Sequence, residues 1–296
     1  MLSILIPSYN FDVRKLVHQL HQQGISLTVP FEIICIEDAS LQEYVELNQT
    51  INALSFVTHQ VLSNNLGRSK IRNYLATKAQ YDYLLFMDCD SMPVSEAYLS
   101  NYIVQIQPNQ LLYGGRCYQE EAPKDLTLYF HWHYGTHREQ STAKARQKNV
   151  YQSFMTNNFL IPKNVFQSIR FEESLTQYGH EDTLFGLALQ QKKIPIQHID
   201  NPLEHIGLES NYVFLKKSEL AIQNLYTLHT KHSVHKEIKL LYFFLQTKRL
   251  YLHYPVLLLY IFTRSFLRKN LFSRHPQLTL FDFYKLGYLI QWTKKH

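Results

Sequence analysis

Tyr83-Leu84-Leu85-Phe86-Met87-Asp88-Cys89-Asp90 is the stretch that decides the fold. Five bulky residues in a row from Tyr83 to Met87 suit a strand covered on both faces, and the run stops abruptly at two carboxylates. In an open parallel α/β sheet, ligands bind just beyond the carboxyl ends of the strands, so Asp88 and Asp90 would stand at such an edge. Aspartate there can equally do no more than close a turn through its own side chain.

Working outward, the same pattern recurs. Leu2 to Ile6 is an apolar run ending at Pro7-Ser8-Tyr9-Asn10, with Val13, Leu16, Val17 and Leu20 at helical spacing behind it. Phe31 to Ile36 ends at Glu37-Asp38-Ala39-Ser40 and leads into a second helical pattern. Phe56 to Leu62 reads as a third strand, and Asn64-Asn65-Leu66-Gly67 as a turn into a helix over Arg68 to Ala79. Strands alternating with helices of this length imply right-handed crossovers and a parallel sheet. A helix near Val94 to Ile106 and a strand near Leu111 to Tyr118 follow, with Gly114-Gly115 allowing a close backbone approach. The polar, aromatic-punctuated stretch from Glu120 to Lys148 matches no single period. Strands near Phe159 to Pro162 and Ile194 to Ile199 flank a helix over His180 to Gln191.

The chain has 296 residues, 45% hydrophobic and 18% charged, with no repeat or low-complexity tract, which excludes a disordered chain. Its net charge of +6 is uneven. Residues 1–230 hold 18 Lys+Arg against 22 Asp+Glu, whereas residues 231–296 hold 12 against 2. The expected division is a catalytic domain over 1–230 and a basic, aromatic-rich helical extension over 231–296. An anionic surface, phospholipid before nucleic acid, is the partner this extension implies; a solvated helical cap is the plain alternative. The apolar run Tyr254 to Leu267 is about 14 residues, short of the ~20 a bilayer span needs. Cys35, Cys89 and Cys117 form no CxxC pair, which fits a reducing cytoplasm, and Met1 to Pro7 lacks the basic start of a signal peptide.

Ile6-Pro7-Ser8-Tyr9-Asn10, Glu37-Asp38-Ala39-Ser40, Asn65-Leu66-Gly67-Arg68-x-x-x-Arg72-Asn73 and Asp88-x-Asp90, in this order, resemble the nucleotide-binding half of inverting family 2 glycosyltransferases. The resemblance covers roughly residues 1–210. It implies the GT-A fold, an α/β architecture with a mostly parallel central sheet, with a donor half over about 1–118 and an acceptor half over about 119–210. It implies that Tyr9 and Asp38 contact the uracil of a UDP-sugar, with Pro7 and Gly67 in the loops around the nucleotide and Arg72 near the diphosphate. Asp88 would meet the ribose or a divalent metal, Mn²⁺ or Mg²⁺, and Asp90 would ligate that metal. Arg68 and Lys70 add cations to the same helix.

Tyr178-Gly179-His180-Glu181-Asp182 resembles the family's second acidic motif, which implies Asp182 as the general base and Glu181 as an acceptor ligand. Acids in a first helical turn also simply complement the helix dipole. His205 in Leu203-Glu204-His205-Ile206-Gly207 is a candidate third metal ligand, with His198 as its substitute, and Asn157 or Asn158 is a candidate for sugar hydroxyls. Gln246-x-x-Arg249 lacks the tryptophan of processive synthases, so one sugar per encounter is expected. The expected acceptor is a glycan or lipid-linked saccharide of the cell surface. A nucleotidyltransferase lacks its glycine-rich triphosphate loop here, and a lectin-like scaffold would not need Asp38, Asp90 and Asp182 together.

Overall fold

The alternation of side chains along a strand decides how the central run is buried. In the computed structural model, which describes residues 1–174, 179–232 and 238–294, Leu85 and Met87 point into one apolar cluster and Leu84 and Phe86 into another. Both clusters are needed because helices cover both faces of the sheet. Tyr178, and residues 233–237 and 295–296 of the basic extension, lie outside the described residues.

In chain order the elements are β1 (Leu2–Ser8), α1 (Arg14–Ile25), β2 (Phe31–Glu37), α2 (Gln42–Gln49), β3 (Val57–Val61), α3 (Arg68–Lys78), β4 (Tyr83–Met87) and β5 (Ser91–Pro93). Next come α4 (Tyr98–Ile103), β6 (Leu111–Tyr113), β7 (Arg116–Cys117), α5 (Tyr129–Tyr134), α6 (Ala143–Arg146), β8 (Asn158–Pro162), α7 (Lys163–Ile169) and α8 (Glu181–Gln191). The chain closes with β9 (Ile196–His198), β10 (Leu203–His205), α9 (Asn211–His232), α10 (Lys239–Arg249), α11 (His253–Leu271) and α12 (Leu278–Thr293).

The main sheet has seven strands in the order β3-β2-β1-β4-β8-β6-β9. Strands β1 to β4 are parallel, as the βαβ pattern requires, and β9 is parallel to β6. Strand β8 runs antiparallel between β4 and β6, setting Met87 opposite Asn158 and so bringing the chain before β8 to the acidic end of β4. Phe86 stacks on Phe159 at 4.9 Å and on Phe166 at 5.0 Å, fixing that register with aromatic bulk. A second sheet has three strands in the order β5-β10-β7.

The chain divides into two compact units. The first comprises residues 1–119, 139–176 and 181–207 and holds both sheets. The second comprises residues 120–138, 177–180 and 208–296 and is helical among its described residues. In it Asn211 begins α9 and ties down the preceding segment, its side chain accepting from the Phe130 amide at 2.9 Å and donating to the Leu126 carbonyl at 2.9 Å. Helices α11 and α12 close on Tyr260, whose ring lies where a Cβ on Gly287 would stand 2.3 Å away. Glycine is required there by the close approach. Within the stretch that gave no clear period, Tyr129–Tyr134 is helical because Phe130 is buried among Leu215, Phe281 and Tyr284.

Candidate active site

The site residues stand at the carboxyl ends of β1, β2 and β4 and on the loops that follow them. The turn after β1 is locked to the turn after β2: the Asn10 amide donates to the Ser40 hydroxyl at 2.9 Å, and the Leu41 amide to Asn10 Oδ1 at 2.8 Å. Asn10 has φ +51°, a conformation asparagine tolerates. Pro7 is half-buried within β1 opposite Ile36, while the Tyr9 ring is 56% exposed, an uncovered aromatic face at the strand's end.

Asp38 is buried and already has a task. Its Oδ1 accepts the Leu66 amide at 2.6 Å and its Oδ2 the Gly67 amide at 3.0 Å, so one carboxylate pins the loop before α3. Gly67 has φ +78° and ψ 168°, a region open essentially to glycine alone. Each carboxylate oxygen retains a second lone-pair direction, and the two loop contacts fix how the group is aimed.

At the end of β4 the two aspartates part company. Asp88 is clamped by two guanidiniums, Arg72 at 2.6 Å and Arg116 at 3.3 Å, and Arg116 also pairs with Glu139 at 3.1 Å. Tyr118 donates its hydroxyl to the same Glu139. Asp90 instead faces His205, whose Nδ1 stands 3.5 Å from Asp90 Oδ1. That meeting follows from β10 pairing antiparallel with β5, which sets His205 opposite Ser91, and from the Ile206 amide donating to the Asp90 carbonyl at 2.9 Å. Burial raises the Asp90 carboxyl, but His205 with Arg116 and Arg68 overcomes it and holds the group well below the usual carboxylate range.

The acidic start of α8 belongs to the same unit. Glu181 is buried and pairs with Arg68 at 3.0 Å; burial raises it, and Arg68 and Arg72 outweigh that, so it stays ionised. Asp182 accepts the Thr156 hydroxyl and, at 3.3 Å, the Thr156 amide. Burial and the adjacent Glu181 charge push Asp182 up to about 6, although Thr156 and Arg72 pull the other way. Two neighbouring carboxylates therefore have opposite tendencies, the pattern by which acid–base roles are assigned.

A divalent metal fits at Asp90. Its Oδ1 is shielded from solvent and has no hydrogen-bond partner, which leaves a hard oxygen donor beside an imidazole. Among the described residues no three His, Cys, Asp or Glu side chains form a metal-holding group; Asp90 and His205 would supply two ligands, leaving the rest to substrate phosphates or water. Asp88, engaged by Arg72 and Arg116, is the less available carboxylate. His198 bonds the Val150 carbonyl at 2.9 Å and lies against Arg146, in the packing of β9.

The structure brings together residues that the sequence motifs single out separately: Asp88 with Arg72, Asp90 with His205, and Asp38 with Gly67. Arg116, Glu139, Thr156 and Gly207 went unread. Arg116 follows Gly114-Gly115, whose close approach proves to be to protein: a Cβ on Gly114 would meet the Asn201 carbonyl, and one on Gly115 the Arg146 guanidinium. Asn158 is not a sugar contact, because its side chain is buried and fully used by Tyr98, Tyr102, Gly115 and Asn201. Asn157 keeps a buried amide nitrogen without a hydrogen-bond partner.

Comparison with known proteins adds the lineage. The family model described as glycosyl transferase family 2 matches residues 3–169. A curated relative, the poly(ribitol-phosphate) beta-N-acetylglucosaminyltransferase TarS of Staphylococcus aureus, is 28% identical over 91 residues, 30% of this chain and 16% of the relative. Among solved structures, S. aureus TarS 1-349 is 17% identical with a TM-score of 0.51, covering 76% of this chain and 65% of that one. The mannosyltransferase PcManGT of Pyrobaculum calidifontis, in complex with GDP-Man and Mn²⁺, is 12% identical with a TM-score of 0.53, covering 78% of this chain and 64% of that one. The fold is thus GT-A, and the chain spans less than two thirds of the lengths of these relatives.

Proposed function

From the chain's place in glycosyl transferase family 2, to which it belongs and which makes it a glycosyltransferase, we propose that it moves one sugar from a UDP-sugar to a hydroxyl of a glycan or lipid-linked saccharide, with inversion, in surface polysaccharide synthesis. The curated relative's name, a transferase of N-acetylglucosamine to a poly(ribitol-phosphate), supports that direction for donor and acceptor class. The reading places the enzyme in the cytoplasm, with the basic C-terminal helices turned to the inner face of the membrane.

The observation that carries the proposal is the opposed pair at the start of α8, with Asp182 raised to about 6 and Glu181 held ionised. A base poised near neutral pH can accept a proton as it leaves an attacking hydroxyl. Thr156 orients the Asp182 carboxylate, and Glu181, held by Arg68, is positioned to bind the acceptor. On the donor side Tyr9 would stack on the base and Asp38 would accept the uracil imide proton, in the orientation its two loop amides set. Arg72 and Arg116 hold Asp88 toward the ribose and bring cationic charge to the diphosphate. Asp90 and His205 would hold Mn²⁺ or Mg²⁺, which when bound neutralises charge on the departing nucleoside diphosphate. PcManGT's complex with Mn²⁺ supports a metal of this kind.

The test is a screen of UDP-sugars for turnover, followed by Asp182→Asn on the accepted donor. The variant should keep donor affinity and lose transfer by roughly 10²-fold or more. Undiminished transfer would remove Asp182 from the chemistry.

A further inference from the structure

Helix α11 is apolar on both sides, and among the described residues one side is buried against the rest of the chain while the other is largely exposed, Lys294 lying over the Tyr254 ring at 3.7 Å. Tyr260, Leu267 and Leu271 are buried among α12 residues such as Phe281 and Tyr284. On the other side Tyr254, Leu258, Phe262 and Phe266, spaced by four, form a stripe about 18 Å long that is open to solvent, flanked by exposed Leu259 and Ile261. Phe262 is 78% exposed. The stripe continues into the bend between α10 and α11, where Leu250, Tyr251 and Leu252 are all exposed and the helices meet at 117°.

The charges around this surface lack counter-charges of their own. From Lys239 to Lys294 the sequence holds nine Lys and Arg against one acid, Asp282, and Asp282 is engaged by Arg138 and Lys285. Lys248, Arg249, Arg264, Arg268 and Lys269 have no ion pair among the described residues. Lys248 and Arg249 precede the bend, and Lys269 closes the stripe. No single helix among the described residues is long and apolar enough to cross a membrane. The bent pair α10 and α11 together has the length and apolarity of a broken span, but its cations sit at the bend and at the end of α11, and an apolar face bordered by such cations suits the headgroup–acyl boundary.

We propose that the open face of α11, together with the Leu250–Leu252 bend, seats in the interface of an anionic phospholipid bilayer. The inference rests on the membrane-facing part of the proposed function and narrows it to a named surface. Aromatic and aliphatic side chains enter the boundary while the cations meet lipid phosphates, each cation adding to affinity.

The full chain is to be sedimented with phosphatidylcholine vesicles with and without phosphatidylglycerol. Binding should require the anionic lipid and fall more than tenfold in Phe262→Ser/Phe266→Ser. It should fall roughly fivefold for each charge removed at Lys248, Arg249 or Lys269. Equal binding to both vesicle types, or binding indifferent to the phenylalanines, overturns the proposal. So does a gel-filtration dimer that the phenylalanine variant dissociates, which would make a second copy the occupant of this face. Should that variant not fold, Tyr251→Trp reports instead: its emission should shift to the blue on anionic vesicles, and an unshifted spectrum contradicts insertion. UDP-sugar turnover without vesicles, measured in parallel, should match the parent enzyme. Loss of turnover in every preparation would fault the donor-site reading, and vesicle binding would still judge this one.

Discussion

At the scale of single residues the site is a chain of guanidiniums threading carboxylates. Arg68 holds Glu181 and lowers Asp90, while Arg72 holds Asp88 and lowers both Glu181 and Asp182. Asp182 is driven upward, to about 6, by burial and by Glu181. As the proposed base it must be ionised, so kcat/KM should rise as pH passes upward through about 6 and then level off; a profile with no acid limb in that window would contradict that proposed role. The same shift acts on stability with the opposite sense. A carboxyl raised in the folded state contributes most below its unfolded value of 3.8, and that contribution is lost as pH rises through about 6. Asp182→Asn, which can still accept from Thr156, should therefore stabilise the fold at pH 7 by about 1–2 kcal/mol after its partial exposure is allowed for, read as a higher Tm. Gly207 is a second residue-scale test: a Cβ there would stand 2.7 Å from Asp90 Cβ and 2.8 Å from its Oδ2. Gly207→Ala should displace that carboxylate and weaken metal-dependent UDP binding by about tenfold, with little change in metal-free binding. Asp38, Asp88 and Asp90 were legible in the sequence because each closes an apolar run, whereas Glu181 and Asp182 were legible only through their resemblance to the family's second acidic motif. Gly207 and Thr156 were not, since each matters only through a neighbour more than twenty residues distant, Asp182 for Thr156 and Asp90 for Gly207.

At the scale of elements, the βαβ half could be read because short apolar runs alternate with segments of period 3.6 through β1 to β4, and those strands are five to seven residues long. Strands β5, β7 and β10 have two or three residues each, too few to show a period, yet β10 carries His205 to Asp90. The antiparallel course of β8 was equally silent, because an apolar run such as Phe159–Leu160–Ile161 reads the same in either direction. The loop before α3 shows how an element end becomes part of the site. Asp38 holds it through the Leu66 and Gly67 amides, and Gly67 supplies a backbone conformation other residues avoid. Gly67→Ala should cost about 1–3 kcal/mol of stability and loosen UDP binding together with it. A variant with unaltered denaturant midpoint would show that this turn carries no such constraint.

At the scale of the whole molecule, the family match covers residues 3–169, which include β4 and the antiparallel β8 beside it. The helices from α9 onward lie beyond it and carry the basic excess that composition alone revealed. Charge asymmetry is visible in a sequence because it needs no contacts; the open face of α11 became visible only once Tyr260, Leu267 and Leu271 had been assigned to the other side. The edge built by Asp38, Asp88 and Asp90 is proposed to be a metal-dependent site for a nucleoside diphosphate. Calorimetric titration of UDP into the full chain, with and without Mn²⁺, in the parent and in Asp90→Ala, tests it most directly. Mn²⁺ should tighten UDP binding at least tenfold in the parent and have no effect in Asp90→Ala; equal affinity with and without the metal, or a variant that still responds to it, would contradict a metal-dependent site.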